Sequence, residues 1–174
     1  MKNKQVQKLT ATALCIALGL LLPQLFHAIG AGTVFLPMHI PVLLCGFICG
    51  APFGALCGLV TPLFSSLITG MPPIFPTCAA MMLELAAYGA LTGLLYGKKL
   101  NAYLALVGAM LGGRVVSGIA NTIFMGMAGR AYGFQAFLTA SFVTALPGIL
   151  LQLIVVPVLV IALSKAQLII QQRA

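Results

Sequence analysis

The chain has 174 residues, of which 61% are hydrophobic and only 6% charged. Soluble domains carry roughly 25% charged residues, so this composition, with a mean hydropathy of +1.15, excludes a soluble fold. The net charge of +8 does not indicate a nucleic-acid partner, because the basic residues lie at the chain ends and in short turns rather than along one solvated face.

A spanning helix needs about 20 apolar residues, so the chain is long enough for one bundle of about six transmembrane helices and no separate soluble domain. Glycines, prolines and polar residues place the predicted spans near 9–28, 36–51, 53–70, 78–97, 102–127 and 136–164. The first run is longer than the core of a signal peptide and is assigned as span 1. Pro37 and Pro41 predict an irregular start of span 2, and Pro147 and Pro157 predict kinks in span 6.

Basic residues predict the orientation of this bundle in the bacterial plasma membrane. Six alternating spans place nearly all of them on one side: Lys2, Lys4, Lys8, Lys98, Lys99, Lys165 and Arg173. Only Arg130 falls on the opposite side. By the positive-inside rule, both chain termini are predicted to be cytoplasmic.

Polar side chains then concentrate in the outer halves of several spans. The candidate substrate-binding residues are His39 in span 2, Glu84 and Tyr88 in span 4, and Arg114, Ser117 and Asn121 in span 5. The last three share one helix face. Glu84 is the only acidic residue, and a charge in the bilayer costs a few kcal/mol, so Glu84 is expected to face the bundle interior at a depth similar to Arg114.

Each of these assignments has a structural alternative. Glu84 and Arg114 could form a buried ion pair without a ligand role, and His39 could be either a ligand contact or an interfacial end group. His27 is interpreted as such an end group. Gln152, on a face with small residues, is assigned to helix packing and left out of the primary site.

Ala13 and Ala17 are small residues four apart at the predicted cytoplasmic end of span 1. Such a strip allows close approach of another helix, either within the bundle or from a partner subunit. The five cysteines lie in apolar runs without His or carboxylate neighbours, so they predict packing rather than a disulfide framework or a metal site. No cofactor is expected.

The chain resembles the S components of energy-coupling factor (ECF) transporters, which are small six-helix proteins that capture vitamins at the outer face. The resemblance rests on the basic N-terminus leading into ALCIA with Ala13 and Ala17, then on FLPMHIPVLLCGFICG at 35–50, the segment 54–70 ending in LITG, and ELAAYG at 84–89. It implies that the alanine strip contacts the transmembrane coupling subunit. It also implies that the loops at 30–35 and 70–77 help to cover the ligand.

The sequence contains no GxxxxGK[ST] phosphate loop, so ATP hydrolysis is expected from partner ATPases of an ECF module and not from this chain. A site with both Glu84 and Arg114 suggests a neutral or zwitterionic heterocycle, such as hydroxymethylpyrimidine or a pyridoxine-type vitamer, and then pantothenate. A self-sufficient ion-coupled carrier remains an alternative, although such carriers usually have inverted repeats and several acids. An intramembrane enzyme is disfavoured, because one Glu and no Asp leave little for acid-base or metal chemistry.

Overall fold

The computed structural model describes residues 2–28, 30 and 35–171, and every regular element within those ranges is helical. In chain order the elements are α1 (Lys2–Ala28), α2 (His39–Cys49), α3 (Ala51–Thr69), a π-helical turn (Ile74–Cys78), α4 (Ala79–Gly97), α5 (Ala102–Met127), α6 (Phe134–Leu138), a π-helical segment (Thr139–Thr144) and α7 (Leu146–Lys165). Five stretches are long and apolar enough to cross a membrane: Asn3–His27, Ala51–Thr69, Ile74–Gly97, Ala102–Met127 and Leu146–Lys165. The predicted all-α membrane fold is confirmed.

Span 2, predicted as a short span over 36–51 with an irregular start, contains a helix that is shorter still. Its helix α2 has 11 residues, which is about 16 Å of helix, against a hydrocarbon core of about 30 Å. It packs against α1, α3 and α4, and most of its side chains are buried. Because neighbouring helices shield it from lipid, a short helix with an irregular start is tolerated. The irregular start predicted from Pro37 is observed as a turn before His39.

Span 6 is also not one continuous helix. The predicted range 136–164 is divided into α6, the π-helical segment and α7, and α7 begins immediately before Pro147. A proline has no backbone N–H, so Pro147 is suited to the first turn of α7, where that donor would have no intrahelical partner. Pro157, the other predicted kink, lies inside α7. Span 5, in contrast, has the predicted bounds, and α1 begins at Lys2 instead of residue 9.

Glycines bring α2, α3 and α4 into backbone contact. A Cβ atom at Gly54 or Gly58 on α3, or at Gly89 or Gly93 on α4, would overlap the backbone of the facing helix, and one at Gly46 would overlap α4. In a membrane, association depends on close packing of this kind, because lipid tails are as apolar as the helices themselves. These three helices therefore form the rigid centre of the bundle.

The chain after α7 folds back against one end of the bundle. Ile169 and Ile170 are 2% and 8% exposed, and Gln171 Nε2 donates a hydrogen bond to the carbonyl oxygen of Gly93 at 2.6 Å. This end, which includes the α2–α3 turn and the C-terminus of α4, is packed with side chains.

Candidate ligand-binding site

A buried ion pair joins α4 and α5. Arg114 Nη1 donates a hydrogen bond to Glu84 Oε1 at 3.1 Å, and Ser117 Oγ donates one to Glu84 Oε2 at 2.8 Å. Glu84 and Arg114 are each 7% exposed. Both carboxylate oxygens thus have partners, which offsets part of the cost of burying the charges.

Two aromatic rings lie beside the ion pair. His39, the first residue of α2, has its Nε2 atom 3.8 Å from Glu84 Oε1, and its ring meets that of Tyr88 edge-on with centroids 5.3 Å apart. Tyr88 lies one turn after Glu84 and is 1% exposed. Its ring packs on Gly113, where a Cβ atom would collide with it. His39 is only 2% exposed, so it is not the water-exposed end group that was the alternative interpretation of this residue.

Asn121 completes this polar group of residues. Its Nδ2 atom donates to the backbone oxygen of Ser117 at 2.9 Å and lies 3.3 Å from the Ser117 hydroxyl. The structure thereby connects all six predicted site residues, from three helices, through direct contacts: His39, Glu84, Tyr88, Arg114, Ser117 and Asn121. Their role in binding a ligand stays a prediction.

Several buried polar atoms in this group lack a hydrogen-bond partner among the described residues. They are both ring nitrogens of His39, the Tyr88 hydroxyl, and the Nε and Nη2 atoms of Arg114. Leaving a buried polar group unsatisfied costs roughly 1–3 kcal/mol, so such atoms usually have an unseen partner such as water or a ligand. The ligand role of the ion pair stays a prediction, because water would satisfy these atoms as well as a ligand would.

A cavity of about 660 Å³ begins at His39, which is part of its wall. The size is within the range of small-molecule sites, roughly 300–1,000 Å³. The other lining residues come from the C-terminal ends of α1 and α3, the turn before α2, the 71–73 segment and α4: Pro23, Gln24, His27, Leu36, Pro37, Met38, Ser65, Thr69, Met71, Pro72, Pro73 and Met81. His39 therefore connects the cavity with the buried ion pair.

The segment after α3 is fastened over this end of the bundle. Ser66 Oγ donates to the carbonyl oxygen of Pro72 at 2.6 Å, and Ser65 Oγ donates to that of Met71 at 2.9 Å. Farther along, the Phe75 ring meets Phe124 of α5 edge-on. The loop predicted at 70–77 thus borders the cavity, whereas 31–34 of the other predicted covering loop lies outside the described residues.

The match to a protein family comes from nearly the whole chain. Residues 7–160 match the model of the family described as "ECF transporter, substrate-specific component". The chain belongs to this family. It is therefore a substrate-specific component of ECF transporters and a multi-pass protein of the cell membrane, as predicted. No curated protein and no solved structure matches the chain.

The alanine strip of this ECF component lies on the outside of the bundle. α1 turns Thr12, Cys15 and Gly19 inward, and Gly19 packs directly on Thr61 of α3, while Ala13 and Ala17 are exposed. The exposed position leaves room for another helix to approach. Whether a partner subunit docks there stays a prediction.

A second, more open groove of about 520 Å³ lies between α5 and α6. Its wall includes Gly118 and Ile119 of α5, Phe137 of α6, and Tyr132 from the connecting turn. Partial burial and the nearby negative charge of Glu84 raise the pKa of the Tyr132 phenol. Tyr132 was not predicted from the sequence, because a single tyrosine in a turn carries no spacing signal. Within the described residues, no group of three or more His, Cys, Asp or Glu could hold a metal ion.

Proposed function

We propose that this ECF component captures a small water-soluble vitamin or vitamin precursor at the outer membrane face and delivers it to an ECF module. The observation that carries the proposal is the buried Glu84–Arg114 pair with unpaired polar atoms around it, next to a cavity of about 660 Å³. A polar group buried this deeply in a membrane protein is costly and commonly marks a substrate path.

The leading substrate is a neutral or zwitterionic heterocycle, such as hydroxymethylpyrimidine or a pyridoxine-type vitamer. Glu84 and Arg114 lie 3.1 Å apart and neutralise each other, so we expect a ligand without a strong net charge. The His39 and Tyr88 rings offer a surface for a planar ring. Pantothenate is the second candidate. The Nε and Nη2 atoms of Arg114 have no partner among the described residues and could donate to the carboxylate of pantothenate.

Mass spectrometry of small molecules released from the full-length protein, purified in mild detergent, tests the substrate assignment directly. We expect a bound heterocycle of vitamin size to be released by heat from the wild-type protein and to be depleted in Arg114→Met. Release of only lipid or detergent from both proteins would contradict the proposal.

Energy for uptake is proposed to come from partner subunits, namely two ATPases and a transmembrane coupling protein. The chain has no phosphate-loop motif, and its family membership supports this partnership. We expect cells that express this chain alone to bind ligand without accumulating it, and co-expression of an ECF module to restore uptake. Concentrative uptake without ATP into vesicles that contain only this protein would favour the ion-coupled carrier instead.

Docking to the coupling protein is proposed to use Ala13 and Ala17. Their exposed side chains lie on the face of α1 that the bundle leaves uncovered. A methyl side chain lets another helix approach closely, which favours association where apolar contacts alone give little advantage over lipid.

A further inference from the structure

Gln152 is the most deeply buried polar side chain of α7 and has an unexplained donor. The residue is 1% exposed, and its Nε2 atom has no hydrogen-bond partner among the described residues. A side-chain amide without a partner costs free energy when it is removed from water, whereas leucine at the same place would not. The packing role assigned from the sequence explains the small residues around Gln152 but not the amide itself.

The packing of α7 on α5 indicates on which side of the bundle Gln152 lies, although Gln152 is in the wall of neither cavity described above. Met110 of α5 and Val156 of α7 are buried in the same core cluster as Tyr88. Arg114 follows Met110 by one helical turn, and Gln152 precedes Val156 by one turn. Because the chain reverses between these consecutive long helices, both steps lead in the same direction, toward the ion pair.

The unpaired atoms of this region are mostly donors. Arg114 has Nε and Nη2 to offer, Gln152 has Nε2, the Tyr88 hydroxyl can donate, and His39 has one N–H in its neutral form. The Glu84 carboxylate accepts one hydrogen bond at each oxygen and keeps further lone pairs for the His39 ring, whose Nε2 lies 3.8 Å away. The donors of Arg114 and Gln152 are then left for a ligand, which must supply at least two acceptors to satisfy them.

We infer that Gln152 is a specificity-determining residue of the site, whose Nε2 donates to one acceptor of the ligand while Arg114 binds another. The substrate class is then a compact polar molecule with at least two separated acceptors, such as ring nitrogens, hydroxyl oxygens or a carboxylate. This inference rests on the proposed function and adds to it a seventh ligand-contacting residue.

The chain contains a matched control for this inference. Gln171 is also a glutamine with a largely buried amide at the opposite end of the bundle, but its Nε2 already donates to the Gly93 carbonyl oxygen and only its Oε1 lacks a partner among the described residues. The full-length wild type, Gln152→Met, Gln152→Glu and Gln171→Met are each titrated calorimetrically with pyridoxine, hydroxymethylpyrimidine and pantothenate. Melting temperatures of the unliganded proteins are measured in the same detergent.

We expect Gln152→Met to raise the dissociation constant of the bound probe roughly 2- to 12-fold, the loss of one neutral hydrogen bond, without lowering the unliganded melting temperature. Gln152→Glu keeps the shape of the side chain but exchanges the amide N–H for a carboxyl group, which repels an anionic ligand when it is ionised, so binding of pantothenate should be weakened most. Gln171→Met should lower the melting temperature and leave the dissociation constant unchanged.

The outcomes separate the inference from the proposed function. If a probe binds Gln152→Met and Gln152→Glu as tightly as the wild type, the inference is overturned and the proposed function stands. A fall in melting temperature of Gln152→Met to the level of Gln171→Met, with unchanged affinity, would show that Gln152 only supports packing. If none of the three probes binds the wild type, the proposed substrate class and the inference both fail.

Discussion

Replacing Glu84 and Arg114 singly and together separates their effect on stability from their effect on binding. The two side chains form a direct contact at 3.1 Å and are each 7% exposed, so removing one partner leaves the other charge buried and uncompensated. Breaking a buried pair in this way costs about 3–5 kcal/mol. Glu84→Gln and Arg114→Met should therefore each lower the unfolding temperature of the unliganded protein.

The double variant removes both charges at once, and an apolar or neutral pair of similar size in place of a buried ion pair is often as stable as the original. We expect the combination of Glu84→Gln and Arg114→Met to recover most of the lost stability. Binding should not recover, because the free Nε and Nη2 groups of Arg114 are then absent. The loss of one charged hydrogen bond is about 1.5–3 kcal/mol, or roughly 10- to 150-fold in dissociation constant.

Thermal unfolding of the unliganded proteins and calorimetric titration of ligand, both in the same mild detergent, give the two readouts. Ser117→Ala is the control, because it keeps both charges and removes only the 2.8 Å hydrogen bond to Glu84. Near-native affinity in the double variant would refute the reasoning and leave Glu84 and Arg114 as a structural pair. Failure of the double variant to regain stability would show that the two charges do not compensate each other.

Three further predictions concern docking, packing and the loop. Ala17→Trp should abolish co-purification with the coupling subunit while ligand affinity stays within a few-fold, and loss of binding with intact assembly would contradict this. Gly89→Val should lower the unfolding temperature, at a cost of about 1–3 kcal/mol or more, because its side chain would overlap the backbone of Gly54. Ser66→Ala removes the 2.6 Å hydrogen bond to Pro72 and should speed ligand dissociation in stopped-flow measurements, without a large change in stability.

The sequence was sufficient for the fold class, because the thickness and apolar interior of the bilayer dictate how long and how apolar each spanning segment must be. Span 5 has the bounds that its flanking polar residues indicated. Span 2 was predicted to be short with an irregular start, but its helix covers only His39–Cys49 of the predicted 36–51. Hydropathy detects apolar residues but not whether lipid or protein surrounds them. Pro147 was recognised as a kink, but whether a kink becomes a full break depends on tertiary packing, which a single sequence does not show.

The candidate site was predictable for a physical reason. Glu84 and Arg114 could not face lipid at acceptable cost, so both had to turn inward, and helix periodicity then carried Ser117 to the same place. Gln152 was assigned to packing because small residues share its helix face. Small residues occur both at close helix contacts and in the walls of polar sites, so the sequence alone does not distinguish the two. The observation that distinguishes them is that Gln152 Nε2 has no hydrogen-bond partner among the described residues, which only a structure can show.

The two ends of the bundle differ in a way that bears on the proposed division of labour. The cavity is bordered by the C-terminal ends of α1 and α3, whereas Ile169, Ile170 and Gln171 pack against the opposite end. A ligand held near His39 would have to displace these residues, and the backbone contacts among α2, α3 and α4, to pass straight through the bundle. Close-packed interiors resist such rearrangement, because separated surfaces lose their contacts before new ones form. If the chain captures the ligand and then releases it by moving against a partner subunit, no such opening is required. This supports the proposed role as a binding subunit.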